Sequence, residues 1–212
     1  MKKKQLISAL DQLDTFKDSK LYLEQYATGS ELGSEILLTI NEDVGFEDTF
    51  VGDLGCGCGV LMIGASLLGC SATIGLDIDM DALKICQQNI ESMSLESVCD
   101  IVNMDIIQSR STSRMDKKFD LIVMNPPFGT KNNSGIDVKF IQRGLSMLED
   151  GGVLYSLHKS STRDFLMRKV KQWNGVEAEC IAELRWNLEK TYRHQKKSVV
   201  DIEVDLLRYK KD

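Results

Sequence analysis

The sequence predicts a single α/β domain, in which a mostly parallel, seven-stranded sheet carries helices on both faces and follows a helical extension at the N-terminus. From residue 50 onward, short apolar stretches of strand character alternate with stretches of helical periodicity, as in parallel sheets. A glycine-rich turn follows the first of these strands, where doubly wound folds bind ligands. The length of 212 residues suits one such domain and leaves little room for a second.

The N-terminal extension is predicted over residues 1–45, and the sheet domain over residues 46–212. Apolar side chains recur at helical spacing from Leu6 onward. A second helix can begin at Ser30 or Ser34, because a serine side chain can accept a hydrogen bond from an unpaired N–H group of the first helical turn. The segment before the first strand is therefore expected to be mainly helical.

The predicted strands are short, apolar and bounded by turn residues. They cover residues 50–54, 73–76, 99–102, 119–124, 152–157, 178–185 and 199–208. Helices are predicted over four of the intervening stretches, at residues 60–68, 79–93, 137–148 and 160–173. No clear helical pattern separates the last two strands, so we expect these two to pair as an antiparallel, hairpin-like closure of the sheet.

Composition and charge restrict the classes of protein. The formal net charge is −6, which argues against a general nucleic-acid coat protein. No apolar run of about 18 residues is present, and no apolar core follows the N-terminal lysines, so neither a membrane span nor a secretory signal is predicted. Cys56-x-Cys58 lacks a second ligand pair, so no metal site is predicted. Free thiols indicate a reducing compartment, so the nucleus and the cytoplasm are expected, and the nucleolus is a candidate location within the nucleus.

The glycine-rich turn begins with an acidic residue and spans residues 53–59, Asp-Leu-Gly-Cys-Gly-Cys-Gly. A dinucleotide-binding turn has the pattern G-x-G-x-x-G. Counted from Gly55, the sixth position of that pattern is Val60 in this chain and not a glycine. Asp53 would repel a phosphate, but it suits a cationic ligand without one. S-adenosylmethionine is such a ligand, because it carries an ammonium and a sulfonium group.

Two further carboxylates follow the next two strands. Asp77 lies 22 residues after Gly55, a spacing that predicts a contact with both hydroxyls of a ribose. Asp105 is expected to reach the amino group of an adenine, and Ile78 and Ile106 are predicted to line the same pocket. Each feature alone is compatible with an ordinary turn and helix-capping acids. The glycine-rich turn, Asp77 and Asp105 follow three successive strands, and together they favour a cofactor site.

The segment Asn125-Pro126-Pro127-Phe128 follows the fourth strand and contains the only two prolines of the sequence. An exocyclic amine on an aromatic ring is a poor nucleophile, because its lone pair is delocalised into the ring. The Asn125 side-chain oxygen and the Pro126 carbonyl are predicted to accept hydrogen bonds from the two N–H groups of the amine and thereby to release its lone pair. The prolines stiffen the loop, and Phe128 is expected to stack on the base. A rigid turn with an apolar anchor is the alternative.

Four blocks of sequence together resemble the methyltransferase-like protein five family, eukaryotic enzymes that form N6-methyladenosine in 18S ribosomal RNA. The blocks are residues 53–60, 125–131, 156–163 and 201–205. The resemblance covers nearly the whole chain. It implies a Rossmann-like class I methyltransferase fold, S-adenosyl-L-methionine as cofactor, ribosomal RNA as substrate, and a heterodimer with a small zinc-binding activator protein.

The resemblance also implies that residues 24–28 fold over the cofactor as part of a lid, with Gln25 and Thr28 in contact with it. The rest of the implied pocket is formed by Gly55, Cys58, Val60, Asp77, Asp105 and Ile106. Ala27 replaces a proline of the family, which predicts a looser lid.

Basic residues near the predicted catalytic edge are the candidates for RNA contact: Lys131, His158, Lys159, Lys196 and Lys197. His158 follows the fifth strand, and a residue that only closes this strand is an equally good interpretation. His194 and Gln195 depart from the aromatic residue and histidine of the family.

Three alternatives remain open at this point. The Asn-Pro-Pro segment also serves enzymes that methylate glutamine amides in proteins, although these usually carry a larger N-terminal substrate domain. Methylation of guanine N2 in ribosomal RNA uses the same chemistry. A non-catalytic scaffold with this fold is the third alternative, and the intact residues 53–59 and 125–128 argue against it.

Overall fold

The computed structural model describes residues 1–108, 115–129, 133–189 and 199–211. Seven strands form one sheet: β1 Phe50–Leu54, β2 Ala72–Asp77, β3 Cys99–Asn103, β4 Phe119–Met124, β5 Leu148–Lys159, β6 Val176–Glu189 and β7 Val199–Lys211. Their order is β3-β2-β1-β4-β5-β7-β6. Neighbours among β1 to β5 pair in parallel, and β7 is antiparallel to both β5 and β6. The predicted fold class and the antiparallel pairing of the last two strands are confirmed.

Six α-helices lie within the described residues: α1 Lys3–Leu10, α2 Ser30–Asp43, α3 Val60–Leu67, α4 Met80–Ser92, α5 Ile136–Met147 and α6 Arg163–Val170. The helix predicted over residues 160–173 is shorter than expected, since a 3-10 turn precedes α6. Residues 11–29, here called the N-terminal strap, are largely irregular and contain one 3-10 turn, Leu21–Leu23. The N-terminal extension is therefore less helical than predicted.

The N-terminal helices share one hydrophobic core with the sheet. Leu6 of α1 and Leu37 of α2 are fully buried in the same cluster as Leu121 of β4 and Tyr155 of β5. A Cβ atom at Gly64 of α3 would overlap Leu37, so this glycine allows α2 and α3 to approach closely. The strap between α1 and α2 is consequently tethered at both ends to the sheet domain.

The parallel strands β1, β2, β4 and β5 bring their carboxyl ends to one edge of the sheet, here called the carboxyl edge. The glycine-rich turn, the loop after β4 and the end of β5 all lie at this edge, as expected for a ligand site in a doubly wound sheet. No helix among the described residues is long and apolar enough to cross a membrane.

Candidate active site

The glycine-rich turn depends on backbone conformations that favour glycine. Gly57 has φ +54° and donates its N–H to Asp77 Oδ2 at 2.9 Å. Gly59 has φ +92°, and a Cβ atom there would lie 2.6 Å from Cys86 Sγ of α4. The turn is also held to β2, because the N–H groups of Gly55 and Cys56 both donate to the Leu76 carbonyl. The sequence therefore folds this segment into a tight turn that lines a cavity.

A cavity opens beside this turn and brings several predicted residues together. It is lined by Thr15, Phe16, Tyr26, Ala27, Thr28, Asp53, Gly55, Cys56, Gly57, Cys58, Val60, Leu61 and Asn125. Asp53 is the charged member of this set, so the lining suits a ligand with a positive group. Burial raises the pKa of Cys58 to about 12, so this thiol stays protonated near neutral pH.

Asp53 is 1% exposed, and its Oδ2 accepts a hydrogen bond from the Met62 N–H at 3.1 Å. Burial, with a smaller contribution from the nearby Asp77, raises the pKa of this carboxyl to about 7, against the lowering effect of the Met62 N–H. An unpaired buried carboxylate is costly, and a cationic ligand in the cavity would remove that cost.

The other predicted pocket residues lie at the neighbouring strand ends, outside the cavity lining. Asp77 also accepts the Asp79 N–H at 2.8 Å, and burial raises its pKa. Asp105 Oδ1 accepts the N–H groups of two following residues, at 2.9 Å each. Ile106 is buried, whereas Ile78 is half exposed. The structure therefore places Asp77 against the turn, whereas none of these four side chains lines the cavity that contains Asp53 and Asn125.

Gln25 is buried and binds protein groups rather than lining the cavity. Its Nε2 donates to Asp79 Oδ2 at 2.6 Å, and its Oε1 accepts the Lys20 N–H at 2.8 Å. The Lys20 ammonium binds both Asp79 and Asp81, and Asp79 raises its pKa most strongly. In this structure Gln25 fastens the N-terminal strap to the start of α4.

A second anchor of the strap was not predicted from the sequence. Asn89 of α4 is 2% exposed and donates through Nδ2 to the carbonyls of Asp14 and Cys58, at 2.9 Å each. Its Oδ1 accepts the Asp14 N–H at 2.8 Å. Beyond this anchor, Phe16 packs against Gly57, where a Cβ atom would lie 2.9 Å from the phenyl ring. A polar residue on the apolar face of α4 was the signal that could have indicated the anchor.

Asn125 follows β4 directly, and its side chain reaches the cavity. Its Nδ2 donates to Thr28 Oγ1 of the strap at 3.0 Å. Pro126 is buried and Pro127 half-buried, so the loop is packed at its start. The structure therefore places the predicted catalytic amide in the same cavity as Asp53.

Phe128 belongs to an aromatic cluster that sequence reasoning missed. Its ring lies edge-to-face with Trp186 of β6, at a centroid distance of 5.9 Å and an angle of 84°. Trp186, only 4% exposed, makes a similar contact with Tyr26 of the strap at 6.4 Å. The Lys159 ammonium lies 5.4 Å from the Phe128 ring centroid. Neither Trp186 nor Tyr26 has a local sequence signal, because the contacts join distant parts of the chain.

The structure does not support a direct contact between His158 and RNA. The imidazole is 1% exposed, and its Nε2 lies 2.7 Å from Ser156 Oγ. Burial lowers its pKa to about 3, although the nearby Asp205 opposes this shift, so the ring is neutral near pH 7. The interpretation as a buried residue that closes β5 fits the geometry.

Asp205 connects two of the sequence blocks that carried the family resemblance. It is fully buried on β7 and accepts hydrogen bonds from Arg163 Nε at 2.6 Å and Nη2 at 2.7 Å, and from Ser160 Oγ at 2.6 Å. These bonds fix the turn after β5 and therefore the position of Lys159. The other lysines predicted to contact RNA, Lys131, Lys196 and Lys197, lie outside the described residues, as do His194 and Gln195.

Comparison with known proteins identifies the family. Residues 27–179 match the model of the methyltransferase small domain. The chain is 46% identical to the rRNA N(6)-adenosine-methyltransferase metl-5 of Caenorhabditis elegans over 212 residues, covering 100% of this chain and 99% of that protein. It is 45% identical to the rRNA N(6)-adenosine-methyltransferase METTL5 of Danio rerio, covering 99% of each.

A solved structure agrees with these sequence relatives. A candidate RNA methyltransferase from Pyrococcus horikoshii superposes with a TM-score of 0.82 at 29% identity, covering 100% of this chain and 97% of that one. The resemblance seen in the sequence blocks is thereby confirmed: the chain belongs to the methyltransferase small domain family and, within it, to the METTL5 family of rRNA N(6)-adenosine-methyltransferases.

Proposed function

We propose that this protein transfers a methyl group from S-adenosyl-L-methionine to N6 of a specific adenosine in small-subunit, 18S ribosomal RNA. The observation that carries the proposal is the position of Asn125 in the loop after β4, where its side chain lines the same cavity as Asp53 and the glycine-rich turn. The names of the worm and zebrafish relatives support the substrate, and they do not favour methylation of a glutamine amide or of guanine N2.

The residues present fit the cofactor. Asp53 offers a buried carboxylate to an ammonium group, and Gly55, Cys58, Val60 and Thr28 line the space beside it. Asp77 would accept from the ribose hydroxyls. Asp105, with Ile78 and Ile106, would hold the adenine. Gln25 would act through its bond to Asp79. When bound, S-adenosylmethionine supplies the electrophilic methyl group of its sulfonium.

The catalytic loop would act mainly by orientation. Asn125 Oδ1 and the Pro126 carbonyl would accept hydrogen bonds from the two N–H groups of the adenine amine. This favours a pyramidal nitrogen with its lone pair directed at the methyl group. Pro126 and Pro127 hold this geometry, and Phe128 stacks on the base. No strong base is needed before the transfer, which agrees with the neutral, buried His158.

The RNA footprint extends this proposal beyond the catalytic loop. A chain with net charge −6 needs local positive groups to approach RNA, and Lys131, Lys159, Lys196 and Lys197 are our candidates for phosphate contacts.

A small zinc-binding activator protein would form a heterodimer with this chain and supply further contacts. The N-terminal extension, residues 1–45, would act as part of a lid. We propose the nucleus, including the nucleolus, and the cytoplasm as the compartments.

The test uses labelled S-adenosylmethionine and small-subunit ribosomal RNA, with and without the activator, and reads the nucleosides by mass spectrometry. Wild type is expected to form N6-methyladenosine, and Asn125→Ala to lose about 100-fold or more of the rate, because one acceptor of the amine is removed. The exposed Asn41→Ala on α2 serves as the matched control and should retain the wild-type rate.

Other outcomes assign other functions. N2-methylguanosine that depends on Asn125 moves the reaction to a different atom. Label in a protein fraction, again dependent on Asn125, moves the substrate to a glutamine amide. If wild type fails to bind S-adenosylmethionine even with the activator present, the non-catalytic scaffold is the correct interpretation.

A further inference from the structure

The N-terminal strap contacts the start of the catalytic loop directly and reaches its other end through Trp186. At the start of the loop, Thr28 Oγ1 accepts a hydrogen bond from Asn125 Nδ2 at 3.0 Å. At the other end, Phe128 packs edge-to-face on Trp186, which makes a second such contact with Tyr26. Residues 26–28 of the strap therefore bracket the four catalytic residues.

The contact at Thr28 matters because the two ends of an amide are chemically opposite. The oxygen of Asn125 can accept an N–H bond from an adenine amine, whereas its NH2 group can only donate. A half turn about the last side-chain torsion would exchange the two groups and direct N–H bonds at the substrate amine. In this structure Thr28 Oγ1 accepts from Nδ2, so the nitrogen lies on the strap side and the oxygen is left for the substrate.

We propose that Thr28 is a positioning residue that tethers the side-chain amide of Asn125, so that the strap orients the group that binds the substrate amine as well as covering the cofactor. The inference rests on the proposed N6-methylation and deepens it. It competes with the role that the family resemblance implies for Thr28, a contact with the cofactor. The two roles predict different kinetics, because a positioning residue changes the chemical step and a cofactor contact changes cofactor affinity.

The experiment compares Thr28→Val, which keeps the shape and removes the hydroxyl, with Thr28→Ser, which keeps the hydroxyl. We expect Thr28→Val to lower kcat about tenfold at saturating cofactor, the effect of one hydrogen bond, while Kd for S-adenosylmethionine and KM for RNA stay within about twofold. Thr28→Ser should restore kcat to within about twofold of wild type. Thr39→Val on α2 makes the same change outside the site and should leave kcat unchanged.

A second readout does not depend on methylation. The side-chain amide signals of Asn125 in a 15N-labelled protein, identified by their loss in Asn125→Asp, should shift in Thr28→Val and stay near their wild-type position in Thr28→Ser. Unmoved signals in Thr28→Val overturn the proposal, as does a tenfold rise in Kd for S-adenosylmethionine with kcat unchanged, or an equal loss of kcat in the valine and serine variants. If wild type forms no N6-methyladenosine, the proposed function fails while the amide signals still decide the role of Thr28.

Discussion

At the scale of single residues, Asp53 couples the cofactor cavity to pH. Burial raises the pKa of its carboxyl to about 7. Since the ionised form attracts an ammonium group, we expect Kd for S-adenosylmethionine to fall as pH rises from 6 to 7.5. Asp53→Asn should bind more weakly at pH 7.5 and lose most of this dependence. Calorimetric titrations across that range measure both, and an equal slope in wild type and Asp53→Asn contradicts the prediction.

The raised pKa of Asp53 also makes the folding stability of the cofactor-free protein depend on pH. The folded pKa of Asp53 lies above its unfolded value, so the folded state binds more protons between about pH 4 and pH 7, and stability falls as pH rises through this window. Asp53→Asn should therefore raise Tm at pH 8 and have a smaller effect at pH 5. The comparison of the two pH values separates an electrostatic cost, present only when Asp53 is ionised, from a general loss of packing, which would change Tm equally at both.

At the scale of elements, the N-terminal strap depends on Asn89 of α4. Asn89→Ala removes three hydrogen bonds, two to the backbone of Asp14 and one to the carbonyl of the buried Cys58. We expect a loss of about 2–3 kcal/mol in the free energy of unfolding and weaker binding of S-adenosylmethionine. The exposed neighbour Gln88→Ala is the control and should cost less than about 0.5 kcal/mol. Urea denaturation and calorimetry measure the two effects, and unchanged cofactor binding in Asn89→Ala would show that the strap does not shape the cavity.

Elements with a strong local pattern were predictable from the sequence, and the strap was not. The glycine-rich turn and the Asn-Pro-Pro-Phe loop carry rare residue types at fixed spacing, so their places after β1 and β4 could be predicted. Residues 11–29 have no periodicity, and their anchors join positions 75 and 54 residues apart along the chain. Such contacts depend on tertiary packing. For the same reason the sequence did not show that Gln25 binds Asp79, or that His158 is buried.

At the scale of the whole molecule, a net charge of −6 must be reconciled with an RNA substrate. We predict that Lys196→Gln combined with Lys197→Gln weakens RNA binding and reduces the slope of log Kd against log salt by about 1.4, or about 0.7 for each lysine that no longer neutralises a phosphate of a single strand. Binding titrations of the heterodimer at salt concentrations between about 50 and 200 mM measure this slope.

A matched pair of lysines controls for the removal of two charges. Lys171 and Lys210 are exposed, and Lys210 pairs with Val153 in the middle of β5, away from the carboxyl edge. Their double glutamine variant should leave the slope unchanged. An equal decrease in both double variants would mean that the overall charge matters and that residues 196 and 197 make no specific contact.

The position of β7 has a consequence for biosynthesis. It is the last of the seven strands along the chain, yet it lies between β5 and β6, and within the described residues β6 pairs with β7 alone. While the chain is still being translated, β5 is an open edge and β6 lacks its partner strand. The sheet can therefore close only after Val199–Lys211 has left the ribosome. A premature stop codon before residue 199 would remove an interior strand, and its product would fail to fold and would not persist as a shortened enzyme.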